Sequence, residues 1–153
     1  MKHLTTFRVI DAIARSGSIR GAADILALTP SAVQRRLQSY ETEIGFEIFD
    51  RRPQGVELNS AGELVLMHIR ETFSETGKLT SRLADLSGMR RGEVRAGCSQ
   101  AMVPYFLPRH ISSYQTAYPN VTFKVVVMEH QIAQSALANH TIDLAIVFAA
   151  DRV

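Results

Sequence analysis

The segment Gly88-Met89-Arg90-Arg91-Gly92 constrains this chain more than any other feature, because the hydrophobic spacing changes across it. Before it, apolar residues recur at helical intervals. After it, short β-branched runs alternate with helical stretches. Two glycines and two arginines without periodicity read as a linker. The chain is therefore expected to hold two regions built on different principles, with the hinge at 88–92.

Residues 1–59 read as short helices closed by a hairpin. Leu4, Phe7, Val9, Ile10, Ile13 and Ala14 form a first helical face, broken at Ser16-Gly17-Ser18. Ser18 suits the N-cap of a second helix carrying Ala22, Ala23, Ile25 and Leu26. Thr29-Pro30-Ser31 starts a third: Thr29 caps it, and Pro30 at the first helical position has no N–H to leave unsatisfied. Ala32, Val33, Leu37 and Tyr40 share one side of that helix, and Ser31, Gln34, Arg35 and Gln38 the other. Gly45 ends it. Arg52-Pro53-Gln54-Gly55 then has the residues of a type I turn between two short strands.

Asn59 caps a long helix over 60–87. Val65, Ile69, Thr72, Thr76, Leu79, Leu83 and Leu86 follow alternating spacings of four and three, the seam of a coiled coil. The alternative is a helix docked on its own domain. Its length favours the seam, since about 28 residues span ~42 Å.

Residues 93–153 alternate strand (93–98), helix (103–118), strand (121–128), helix (131–139) and strand (142–148). Pro104 and Pro108 confine the first helix's regular part to its later turns. This order implies a parallel sheet with right-handed crossovers. The pattern alone predicts a mostly α first region with a small hairpin, a long helix, and an open α/β segment.

Composition narrows the function classes. Net charge is +2, so a nucleic-acid footprint would have to be a small local patch. No apolar run approaches the ~18 residues of a membrane helix, and no signal-peptide core follows Met1; a cytoplasmic protein without membrane association is expected. The single cysteine, Cys98, excludes an internal disulfide and an all-cysteine zinc site. The five histidines lack ligand spacing, so neither a metal nor another cofactor is expected. Cys98 has no His and orienting group near it in sequence, so an enzyme is not expected.

The connection Ala27-Leu28-Thr29, with small residues at the crossing, fits a helix-turn-helix whose second helix enters the major groove of double-stranded DNA. Gln can pair bidentately with adenine and Arg with guanine. Ser18 and Arg20 are placed to hold phosphate, and Arg51 and Arg52 to enter the adjacent minor groove. A solvated face is the alternative for these arginines.

Gly17-Ser18-Ile19-Arg20-Gly21-Ala22-Ala23-Asp24-Ile25-Leu26 resembles the N-terminal signature of the LysR-type transcriptional regulators. So do Thr29-Pro30-Ser31-Ala32-Val33, Glu41, Ile44-Gly45, Phe49, Arg51, Gly55-Val56, Leu58 and Ala61-Gly62. Leu107-Pro108, Tyr118-Pro119-Asn120-Val121 and Ile142-Asp143-Leu144-Ala145-Ile146 resemble, more loosely, the opening of that family's effector domain.

The resemblance implies a mostly α winged helix-turn-helix with a long linker helix, followed by a partial α/β domain of periplasmic-binding-protein type, in which Ser31, Gln34, Arg35 and Gln38 read the operator and the hairpin is the wing. It also implies a homodimer through the linker helix, a tetramer in full-length relatives, and contact with RNA polymerase. Gln34 stands where the family usually has Ser, and the second basic residue of the wing falls on Gln54. Inducer contacts would come from Ser99-Gln100-Ala101 and Glu129-His130-Gln131. Residues 93–153 correspond to only part of the first of two effector lobes. That predicts an exposed sheet edge and apolar face, and an inducer response only if the effector domain is complete. A rival reading is an interaction protein that pairs with a full-length regulator through 60–87 and modulates it. A molybdate-type regulator is disfavoured by the α/β pattern.

Overall fold

The computed structural model describes residues 3–86 and 90–148. The chain divides into two compact units, one ending at Ile69 and the other beginning at Arg70.

The first unit is three helices and a hairpin. Helix α1 (Leu4–Ser16) ends at Gly17, whose left-handed backbone returns its N–H to the Ile13 carbonyl. Helix α2 (Ile19–Leu26) is capped by Ser18, whose side chain accepts from the Gly21 amide. Helix α3 (Pro30–Ile44) is capped by Thr29 and stops at left-handed Gly45. Strands β1 (Phe49–Arg52) and β2 (Gly55–Leu58) pair antiparallel, with Arg52 opposite Gly55 across Pro53-Gln54. Val9, Ile10, Ile13, Val33, Ile48 and Ile69 are essentially inaccessible to solvent. Each such side chain contributes about 1.5–3 kcal/mol on burial.

Helix α4 (Ser60–Leu86) begins on this core. Asn59 Oδ1 caps it by accepting from the Gly62 amide, while Asn59 Nδ2 donates to the Glu47 carbonyl. Gly62 lies so close to the hairpin that an added Cβ would sit 2.0 Å from the Ile48 oxygen.

In the second unit three parallel strands lie in the order β4-β3-β5. These are β3 (Arg91–Cys98), β4 (Asn120–Val127) and β5 (Leu144–Ile146). Helix α5 (Phe106–Ala117) links β3 to β4, and α6 (His130–Ala138) links β4 to β5. Arg95 and Asp143 lock β5 onto β3: the guanidinium makes two bonds to the carboxylate (2.8 and 3.2 Å), which also accepts from the Arg95 amide. Val126 and Val127 are 45% and 49% exposed, and the outer edges of β4 and β5 have no strand partner among the described residues. The exposed sheet edge expected from the sequence is present, and valines on both faces of β4 reach solvent.

Several sequence boundaries are corrected. Arg91 and Gly92 belong to the sheet rather than the hinge, paired with Asn120 and Val121. A parallel neighbour satisfies their backbone groups, which local composition cannot reveal. Residue 87 of the expected helix and residues 88 and 89 of the expected hinge lie outside the described residues. The helix expected from Val103 begins at Phe106, after a 3-10 turn at Gln100–Met102. Pro108 sits in its first turn, where a missing N–H leaves no intrahelical bond broken. The last strand is shorter than 142–148, because the Ile142 amide bonds to Ala136 instead.

The seam expected along α4 is divided. Ile69 is 0% exposed, inside the core of the first unit, so it is not free to meet a second helix. Val65, Thr72 and Thr76 are half-buried. Leu79, Leu83 and Leu86 are 58%, 56% and 85% exposed. Spacing alone does not distinguish a face that packs within the chain from one that awaits a partner.

Candidate nucleic-acid interface

The turn between α2 and α3 is built on Ala27, which adopts a left-handed conformation (φ 51°). Its amide and that of Leu28 return to Ala23 and Asp24 carbonyls, closing α2. Ala22 and Ala23 are buried, leaving room for the helices to cross. Val33 and Leu37 turn the other side of α3 into the core.

Opposite them, Ser31, Arg35 and Gln38 are exposed and Gln34 is half-buried. Their spacing of three, four and seven places them on one face. At the helix start the Thr29 hydroxyl accepts from the Ala32 amide (3.2 Å) and lies 3.1 Å from the Ser31 hydroxyl. Thr29 and Ser31 therefore form a coupled pair of hydroxyls at the first turn of the helix. Ser18 is half-buried and its oxygen serves the α2 cap (2.9 Å), whereas Arg20, two residues on, is exposed.

The hairpin is tied to the same end of α2. The Val56 amide donates to the Gly17 carbonyl at 2.8 Å. A Cβ on Gly55 would lie 2.2 Å from that oxygen, so only glycine allows the approach. The two wing arginines are not equivalent. Arg52 Nε is 3.0 Å from Glu57 Oε2, and its terminal nitrogen is 3.8 Å from Asp50. Arg51 is exposed with no ion pair among the described residues, as are Arg20 and Arg35. Sequence alone gives Arg51 and Arg52 the same expected role. Register decides otherwise, since Asp50 faces Glu57 across the strands and Arg52 closes on both. Gln54 is exposed at the tip.

One supporting residue escaped the sequence reading in its role. Glu41 Oε1 accepts from the Ile48 amide (2.9 Å), anchoring the hairpin's approach to α3. No periodicity marks it, because the bond joins a helix to a loop.

The loops expected to meet an inducer lie together at the C-terminal end of the sheet, where the Met128 amide donates to the Cys98 carbonyl (2.9 Å). Open parallel sheets place ligands at that end. Ser99 is partly committed, its hydroxyl accepting from the Phe148 amide (3.3 Å). Gln100 and Glu129 are exposed; His130 is half-buried, its Nδ1 buried without a hydrogen-bond partner. Cys98 is fully buried, which pushes its thiol pKa up, away from nucleophile chemistry. Among the described residues no group of three or more His, Cys, Asp or Glu side chains is placed to hold a metal, and no helix is long and apolar enough to cross a membrane.

Residues 4–63 match the family described as bacterial regulatory helix-turn-helix protein, lysR family. Residues 87–152 match the LysR substrate binding domain. This chain belongs to the LysR family.

Similar proteins include a "Probable RuBisCO transcriptional regulator" of Synechocystis sp., 31% identical over 144 residues, covering 94% of this chain and 42% of that protein. The uncharacterized HTH-type transcriptional regulator YbhD of Escherichia coli is 30% identical over 145 residues, covering 92% of this chain and 45% of that protein. The LysR-family chain thus spans less than half the length of these relatives. Full-length OxyR from Pseudomonas aeruginosa shares its fold with a TM-score of 0.65 at 17% identity, over 98% of this chain and 50% of the other. An OxyR mutant from Corynebacterium glutamicum gives 0.61 at 24%, over 93% and 45%. Full-length CbnR, solved with its target DNA, gives 0.53 at 22%, over 93% and 49%. In this chain the helical helix-turn-helix region is followed by a partial α/β domain, as the sequence pattern implied.

Proposed function

We propose that this chain is the DNA-reading and pairing part of a LysR-type transcriptional regulator. The observation that carries this is the grouping in the first unit of an exposed Ser31–Gln34–Arg35–Gln38 face, a glycine-docked wing and three cations without ion pairs. Arg35 and Gln38 read base edges; Arg20 and the Thr29–Ser31 hydroxyls hold phosphate, with Ser18 fixing the helix start. Arg51 enters the minor groove beside the wing, while Arg52 is a partner of Glu57 that positions it and Gln54. A homodimer forms along α4 through Leu79, Leu83 and Leu86, with Val65, Thr72 and Thr76 at its margin and Ile69 serving the core.

The reading is of a cytoplasmic, non-enzymatic protein acting on double-stranded DNA. RNA polymerase contact, assembly into tetramers and a small-molecule inducer near Ser99, Gln100, Glu129 and His130 would belong to the longer family architecture. Footprinting on DNA flanking its own gene tests the proposal. The expected result is a protected, two-fold symmetric site. Arg35→Ala is expected to cost about 1–3 kcal/mol of discrimination at one base pair. Equal loss on every sequence would demote Arg35 to a phosphate contact, and absence of any protected site would overturn the reading.

A further inference from the structure

The second half of α4 and the N-terminal ends of β3 and β4 line a cleft of about 960 Å³. That volume lies at the upper end of the ~300–1,000 Å³ of small-molecule sites. It is at the opposite end of the strands from the Ser99 and Glu129 loops. Phe73 and Val94 supply apolar wall.

Four cations line it, and they divide in two. Arg95 is held by Asp143 at 2.8 Å and Lys78 by Glu75 at 2.7 Å. Arg82 and Arg91 have no ion pair among the described residues. Glu93 is the remaining lining carboxylate, and its charge acts on Arg95. Helix and sheet close together beside these arginines: a Cβ on Gly92 would lie 3.4 Å from Ser81 Oγ. Arg90 clamps the helix end, its Nε 3.4 Å from Asp85 and its guanidinium carbon 4.6 Å from the Tyr118 ring centre. Arg82 also acts on the Glu75 carboxylate at longer range, but two exposed guanidinium groups without an ion pair, over an apolar wall, suit a ligand with an anionic head and an apolar body.

We propose that this cleft binds a small organic anion, its carboxylate, sulfonate or phosphate held by Arg82 and Arg91 and its apolar part against Phe73 and Val94. Such a ligand joins α4 to the sheet and shares no residue with the Ser99 and Glu129 loops.

The test titrates the full chain with the amphiphilic anion anilinonaphthalene sulfonate, followed by fluorescence. Saturable binding at one site per chain is expected, displaced by inorganic phosphate but not by chloride at equal ionic strength. Arg82→Gln with Arg91→Gln is expected to weaken binding about tenfold or more, with an unchanged circular dichroism spectrum and melt. Arg109→Gln, an exposed α5 cation outside the cleft, is expected to bind as the parent does. Unchanged affinity in the double variant, equal weakening by Arg109→Gln, or non-saturable dye uptake on the open valine face of β4 would each overturn the proposal.

Discussion

The two units solve the same problem differently. The first closes a core around Ile10, Ile13, Val33 and Ile48 and turns its polar face outward. The second packs its sheet over a smaller core that includes Cys98, Leu107, Val121 and Ile142, ties β5 to β3 with the Arg95–Asp143 ion pair, and leaves Val126 and Val127 half in solvent. Side-chain identity therefore matters most in the first unit through volume. In the second, where less volume is buried, polar links such as Arg95–Asp143 carry a larger share.

The largest test of that contrast is a pair of truncations read by urea unfolding. Ile10→Ala is expected to cost about 2–5 kcal/mol, since the buried site loses both transfer energy and packing. Val126→Ala is expected to cost under about 0.5 kcal/mol; similar losses would erase the difference between the units. Next, Gly55→Ala forces a methyl against the Gly17 carbonyl and is expected to cost about 1–3 kcal/mol of stability and to weaken the DNA footprint. A full-affinity Gly55→Ala protein would separate the wing's docking from DNA reading.

A smaller effect is expected at Asp143. Burial raises its pKa, but the hydrogen bonds and charge of Arg95 outweigh burial and leave it lowered. Its stabilisation is therefore present above the unfolded carboxylate's pKa, about 3.9, and is lost as pH falls through the lower folded value. Asp143→Asn is expected to cost about 1 kcal/mol or less near neutrality, because the pair is about one-third exposed. The difference from the parent vanishes in acid; a gap that persists in strong acid would assign Asp143 a role other than its charge. Smallest is the split between the wing arginines. Arg51→Ala is expected to reduce the salt slope of DNA binding by about one, and Arg52→Ala to reduce it less, because Glu57 already holds Arg52. Equal slopes would show that DNA displaces Glu57.

Legibility followed the range of the interactions. The caps at Ser18, Thr29 and Asn59, the stops at Gly17 and Gly45, and the turn at Pro53-Gln54 are all set by atoms a few residues apart. Sequence spacing also put Ser31, Gln34, Arg35 and Gln38 on one face, because helical geometry alone does that. The burial of Ile69, the capture of Arg52 by Glu57 and the Glu41–Ile48 bond were not readable, since each depends on where a second element lies. Arg95 and Asp143, joined across 48 residues, are the extreme case.

The change of periodicity at 88–92 was enough by itself to divide this protein into a helical reader and an α/β segment, because secondary structure follows local hydrophobic spacing. Where the division falls was a tertiary decision. Arg91 and Gly92 were drawn into the sheet by the backbone of β4, and the first turns of α4 into the core of the reader by apolar burial. Which side chains remain free to act, Arg51 rather than Arg52 and Leu79 rather than Ile69, was settled only when distant residues were brought within a few ångströms of each other.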